Sequence, residues 1–304
     1  MKAAPFAYTR PGTVEEVVAD LAREDAKVIA GGQSLVPVLA MRLGRPALLV
    51  DVNAVPELDA LTRDGDVVRV GATVRQRRTE RSELAAAVPL LRMALPWVGH
   101  REIRSRGTVC GSIAHADPSA ELPAVARCLG ATMVLTSTHG TREVPAADFF
   151  SGAMTTAVAA DELLTQVAFP VARRDEGFGF GEFARRHGDF ALAGVAVRVR
   201  APGHGDGPEA RVTCFGVSDV PVTADVSAEL RAGLEAVGPA PSRGELVSAL
   251  AGHAGDVARA VVDTGGDSHA SPEYRRRLLS GLIAREVAAA YLRATRPETE
   301  RSPR

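Results

Sequence analysis

The chain has 304 residues, 46% hydrophobic and 24% charged, which is enough apolar content to pack one large or two ordinary domains. With 36 basic and 37 acidic residues the net charge is −1, so the positive surplus a nucleic-acid binder needs is missing and no nucleic-acid partner is expected. Only Lys2 and Lys27 are lysines, neither followed by Ser or Thr, which excludes a phosphate-binding P-loop.

The first predicted element is a helix from Val14 to Leu21, with Thr13 and Glu16 at capping-box spacing and Val14, Val17, Val18 and Leu21 on one face. Val28 to Ala30 reads as a short strand, Gly31-Gly32-Gln33-Ser34 as a tight turn, and Leu35 to Leu43 as a helix. Strands follow at Ala47 to Val52 and Val67 to Ala72, then a helix from Glu83 to Val98. A second glycine turn runs from Gly107 to Pro118, with Pro118 in the first turn of a helix reaching about Cys128. Ala131 to Val144 reads as a hairpin turning at His139-Gly140, and Leu163 to Phe169 as a strand. The pattern breaks between Val171 and Gly177, where a domain boundary is placed. Beyond it Ala191–Arg200 and Arg211–Val217 alternate as two strands of a hairpin around a surface turn from Pro202 to Pro208. The end is helical, capped by Ser271 with Pro272 in its first turn and Leu278, Leu279, Leu282, Ile283 and Val287 as its buried stripe.

Two glycine turns, each leading into a helix, carry the chemical signal. A pyrophosphate in a lysine-poor site is neutralised by successive backbone N–H groups, and glycine lets the backbone approach it. Ser34, Thr108 and Ser112 add hydroxyls at these turns. One such turn alone is most simply a tight connection; two with hydroxyls favour a dinucleotide. No strand is followed by G-x-G-x-x-G, and Gly177, Gly179 and Gly181 are spaced two apart, so a Rossmann fold is disfavoured. Cys110, Cys128 and Cys214 are too far apart for a C-x-x-C pair, which excludes an iron–sulfur cluster held within this chain. His115 with Asp117, and His187 with Asp189, complete no zinc pattern, and no metal site is expected. An odd thiol count without a signal peptide points to the cytoplasm, and no apolar run approaches the roughly 20 residues of a membrane span.

The stretch Ala30-Gly31-Gly32-Gln33-Ser34-Leu35, followed by Val50-Asp51-Val52, resembles the first flavin loop of the FAD-binding medium subunit of the molybdenum hydroxylases, the carbon monoxide dehydrogenase and xanthine dehydrogenase type. Arg106 to Pro118 resembles the second loop, Phe183 to Ala191 the signature after the interdomain boundary, and Ser268 to Arg276 the C-terminal helix signature. The resemblance implies an α+β fold: a vanillyl-alcohol-oxidase (PCMH)-like FAD-binding domain over residues 1–172, with subdomains of about 1–55 and 56–172. A C-terminal domain of antiparallel sheet and helices over 177–292 and a polar tail over 293–304 would follow.

By the same resemblance Ala30, Gly31, Gly32, Gln33, Ser34 and Leu35, with Thr108, Val109, Cys110, Gly111 and Ser112, would wrap the FAD pyrophosphate and ribityl chain. Asp117 and Glu121 would accept bonds from sugar hydroxyls, Leu164 would line the pocket, and Phe190 would lie beside the isoalloxazine ring without a phenol hydroxyl. Cys110 replaces the family's usual glycine; it is either a thiol close to flavin or a small buried substitution. The function implied is an electron-transfer subunit: FAD accepts electrons from [2Fe–2S] clusters of a small subunit and passes them to NAD or another acceptor, while a large subunit binds molybdopterin. The alternative is a stand-alone FAD-dependent dehydrogenase or oxidase acting directly on a small organic substrate.

Overall fold

The computed structural model describes residues 2–203, 207–238 and 240–295. His204, Gly205 and Asp206 of the predicted surface turn, and the polar tail beyond Thr295, lie outside the described residues. The chain forms two compact units: the first holds residues up to Ala85, His100–Ala116 and Gly130–Val171, and the second holds Ala86–Gly99, Asp117–Leu129 and the described residues from Ala172 onward. Two pieces of the N-terminal half therefore pack with the C-terminal sheet.

In the first unit a three-stranded parallel sheet places Leu48–Asp51 between Ala7–Thr9 and Ala26–Ile29. The helix Val14–Leu21 packs on it; Thr13 Oγ1 accepts from Glu16 N at 3.2 Å, while the Glu16 carboxylate accepts from Gly12 N at 2.7 Å. A five-stranded antiparallel sheet runs in the order Leu61–Asp64, Val67–Gly71, Leu163–Pro170, Thr132–Ser137, Gly140–Pro145. The predicted strands and the hairpin at His139-Gly140 are all present.

The second unit is built on an antiparallel meander, Glu176–Ala184, Ala191–Arg200, Glu209–Phe215 and Val222–Asp225. Helices Ser227–Val237, Arg243–Val261 and Pro272–Ala294 complete it, and the last packs on the first two strands. Ser271 Oγ accepts from Tyr274 N at 3.2 Å, and Leu279, Leu282, Ile283 and Val287 are buried as the stripe requires, with Leu278 only half-buried. Gly177, Gly179 and Gly181 share one face of the strand Glu176–Ala184; the first two lie directly on the C-terminal helix backbone, and Gly181 faces the Arg285 and Glu286 side chains. Their period of two is the signature of that contact. The buried Arg275 guanidinium donates to the carbonyls of Leu192 and Gly216 and pairs with Asp267 Oδ2 at 2.7 Å, tying helix to sheet.

Three sequence expectations are corrected. The helix Glu83–Val98 is three short pieces, Glu83–Ala86, Pro89–Ala94 and a 3-10 turn Leu95–Trp97, because Pro89 and Pro96 cannot donate in a continuous helix. Helix Glu121–Leu129 starts after Pro118, since Asp117 Oδ1 takes the Ser119 N–H at 2.8 Å in a separate turn. The helix opening at Leu35 ends at Ala40, and Arg42 then adopts φ +60°. No helix among the described residues is long and apolar enough to cross a membrane.

Candidate functional site

The two glycine segments meet inside the first unit. Ala30 to Ser34 leave the strand Ala26–Ile29 in a turn that needs φ +71° at Gly32, a conformation costly for any side chain with a Cβ. Gln33 Nε2 donates back to the Gly31 carbonyl at 3.2 Å, and Ser34 precedes helix Leu35–Ala40 with its hydroxyl not engaged in capping. Ala30 to Gln33 are half-buried and Ser34 is exposed.

The second segment is not an open turn. Thr108 is the N-cap of helix Val109–His115, its Oγ1 accepting from Gly111 N at 3.0 Å. Within that helix Cys110 has a right-handed backbone, so its Cβ meets no penalty. Its side chain is buried and Sγ donates to Val70 O at 3.2 Å, and burial pushes the thiol up to about 12. The structure thus assigns Cys110 to the core: a protonated thiol aimed at the sheet. The helix also packs on strand Leu163–Pro170, which carries the buried Leu164 beside a β-bulge.

Gly31 lies against the second segment so closely that a Cβ there would collide with the Arg106 carbonyl oxygen and stand 2.8 Å from Gly107 Cα. Gln76 N donates to Gly107 O at 2.9 Å, Gln76 Nε2 to Thr108 O at 3.3 Å, and Val109 N to Val74 O at 3.3 Å. Arg75 donates from Nη1 to Arg106 O and from Nη2 to Asn53 Oδ1, both at 2.6 Å, and Asn53 Nδ2 donates to Ala30 O at 2.9 Å. Asp51 closes the chain by accepting from Asn53 N at 2.9 Å and from Tyr8 Oη at 2.5 Å. Burial alone would raise the Asp51 pKa, but these hydrogen bonds hold it below the ordinary carboxylate range. The sequence gives no sign that Asn53, Arg75 and Gln76 join the two segments, because 22 or more residues separate Arg75 from the groups it holds.

The other expected site residues belong to the second unit. Asp117 holds its own turn, and Phe190 is 73% exposed. Glu121 is buried at the start of its helix and acts electrostatically on Glu182, whose Oε2 is buried without a hydrogen-bond partner. Burial, with the Glu121 charge added, raises the Glu182 pKa from its usual 4.5 to about 9. Folded Glu182 therefore keeps a proton that the unfolded chain releases, and stability must fall as pH rises between those values. Urea unfolding of wild type and Glu182→Gln at pH 6 and pH 9 checks this. The wild type should lose roughly 3–4 kcal/mol more than the variant across that interval, and equal losses would refute the buried neutral carboxyl. No group of three or more His, Cys, Asp and Glu among the described residues could hold a metal.

This architecture is an α+β flavin-binding one, a PCMH-like domain followed by a flavoprotein C-terminal domain. Residues 4–172 match the FAD binding domain in molybdopterin dehydrogenase, and residues 178–290 match the CO dehydrogenase flavoprotein C-terminal domain. The chain is 35% identical over 294 residues to the caffeine dehydrogenase subunit beta of Pseudomonas sp. (strain CBB1), covering 95% of this chain and 96% of that one. It is 34% identical over 292 residues to the carbon monoxide dehydrogenase medium chain of Afipia carboxidovorans, covering 95% and 98%. The solved quinoline 2-oxidoreductase of Pseudomonas putida 86 superposes with a TM-score of 0.85 at 34% identity, over 97% of this chain and all of that one. The protein belongs to the FAD-binding medium subunits of the molybdenum hydroxylases, oxidoreductase subunits whose cofactor is FAD. The glycine cradle fits that cofactor: a Cβ at Gly31 would fill the seam between the loops, and Gly32 supplies the φ the turn requires.

Proposed function

We propose that this chain is the cytoplasmic electron relay of a molybdenum hydroxylase. It would receive electrons from the [2Fe–2S] clusters of a small subunit and deliver them to NAD or another acceptor, while a large molybdopterin subunit oxidises the substrate. FAD supplies, when bound, a centre that exchanges electrons singly or in pairs. Ala30 to Leu35 hold its pyrophosphate and ribityl chain through backbone N–H groups and the Ser34 hydroxyl, Thr108 to Ser112 lie along it with the Ser112 hydroxyl as a donor, and the clasped pair of loops is the observation that carries this reading. Leu164 contributes an apolar wall behind them. The relatives support the division of labour: proteins named for caffeine, carbon monoxide and quinoline share this chain type at similar identity, so the choice of substrate lies elsewhere in their complexes.

The test is anaerobic reduction of the FAD-loaded chain, followed by its visible absorbance. NADH is expected to bleach the flavin if NAD is the acceptor, whereas small organic metabolites offered without partner proteins should leave it oxidised. Rapid bleaching by an organic metabolite alone would establish a stand-alone dehydrogenase instead.

A further inference from the structure

We propose that Arg75 is a positioning residue for FAD: its guanidinium fixes the spacing of the two cofactor loops. This rests on the reading that those loops hold the cofactor. Arg75 stands just before helix Gln76–Arg81, and its backbone bridges to Thr108 while its side chain caps nothing in its own helix. One nitrogen holds the Arg106 carbonyl, and the other holds Asn53, which in turn holds the Ala30 carbonyl. Each bond falls on the residue next to the glycines: Ala30 precedes Gly31, and Arg106 precedes Gly107. The Arg106 oxygen that Arg75 grips is also the atom a Cβ on Gly31 would strike. One planar group therefore sets how closely the loops approach, at the point where glycine allows them to touch.

The fork is what matters chemically. A guanidinium presents donors in two fixed directions, whereas an ammonium is a point charge on a flexible stem that cannot span both acceptors. Asn53 is itself held in orientation, since Asp51 accepts from its backbone and side chain and is held in turn by the Tyr8 hydroxyl. Tyr8 and Asp51 sit on neighbouring strands of the parallel sheet, so the latch is anchored in regular structure and not in another loop.

The full chain, stripped of FAD and refilled by titration with FAD itself, provides the test through flavin fluorescence quenching and the visible circular dichroism of the bound cofactor. Arg75→Lys keeps the charge and loses the fork. It should bind FAD roughly tenfold or more weakly, the scale of one charge-assisted hydrogen bond, with an altered flavin dichroism and an apoprotein melting temperature close to wild type. Asn53→Ala cuts the same latch one bond further on and should reproduce the effect, and combining it with Arg75→Lys should add little. If Arg75→Lys does not fold, Asn53→Ala alone decides. Wild-type affinity and dichroism in the variant that folds would overturn the inference, as would a loss matched by an equal loss of apoprotein stability. Gly31→Val separates the two levels: if it retains FAD, the loop assignment itself fails, whereas if it loses FAD while Arg75→Lys keeps it, only the role of Arg75 fails.

Discussion

Gly179→Val is expected to prevent the second unit from reaching its native packing. A Cβ at this position would stand 2.5 Å from the Glu286 carbonyl oxygen and 3.0 Å from Glu286 Cβ, and these belong to a helix that cannot yield locally. Its neighbour Gly177 has even less room, against the Ala290 carbonyl and the Ala294 amide. Overpacking against adaptable side chains costs about 1–3 kcal/mol. Here the obstacle is backbone of a 23-residue helix that also carries Leu279, Ile283 and Val287 into the core. The loss should exceed about 3 kcal/mol, a large share of the roughly 5–15 kcal/mol that holds a typical domain. Gly252→Ala is the matched control, because it lies in helix Arg243–Val261 with nothing within 4 Å and should be neutral or stabilise by up to about 1 kcal/mol. Denaturant unfolding of both variants decides; a Gly179→Val chain within about 1 kcal/mol of wild type would mean that the helix does not rest on the strand.

The second large effect is on the cofactor. Gly31→Val should reduce bound FAD to less than about a tenth of one per chain, because the new side chain must push Arg106 and Gly107 away and part the loops. Gly32→Val acts differently: its nearest neighbour is the Val36 side chain at 3.2 Å, so the burden there is the φ of +71°, about 1–3 kcal/mol of backbone strain. Gly111→Val would press on Thr108 Oγ1 at 2.6 Å and disturb the helix cap. Flavin content after gel filtration, measured by absorbance, ranks the three with Gly31 the most sensitive. Full occupancy in Gly31→Val would show that the touching turns are only a connection.

The architecture was legible wherever local pattern and tertiary packing agree. Alternation at Val67 to Ala72 and Ala191 to Arg200, the caps at Thr13 and Ser271, and the turn at Gly140 are all short-range signals, and each has its counterpart in the structure. The strand Glu176–Ala184 has no sequence signal of its own, because its glycines speak against β structure by propensity, yet the close helix makes them necessary. Helix Arg243–Val261 was passed over because its buried face leans on Ala254 and Ala258 between Leu246, Leu250, Val257 and Val261, a pale stripe by composition. The two glycine segments could be read from the sequence as tight connections, but the latch between them could not. Nothing in the neighbourhood of Arg75 says that its partners are Asn53 and Arg106, since only the folded sheet brings them together.

The three cysteines have a practical use beyond packing. Each is buried, and burial pushes every thiol up to about 12, so at neutral pH the folded chain offers an alkylating reagent almost no thiolate. Cys110 lies in the first unit, Cys128 and Cys214 in the second. Together they form a silent clock: each thiol becomes modifiable only when its own unit opens, so the labelling rate at each position times the breathing of that unit without any probe having to be engineered.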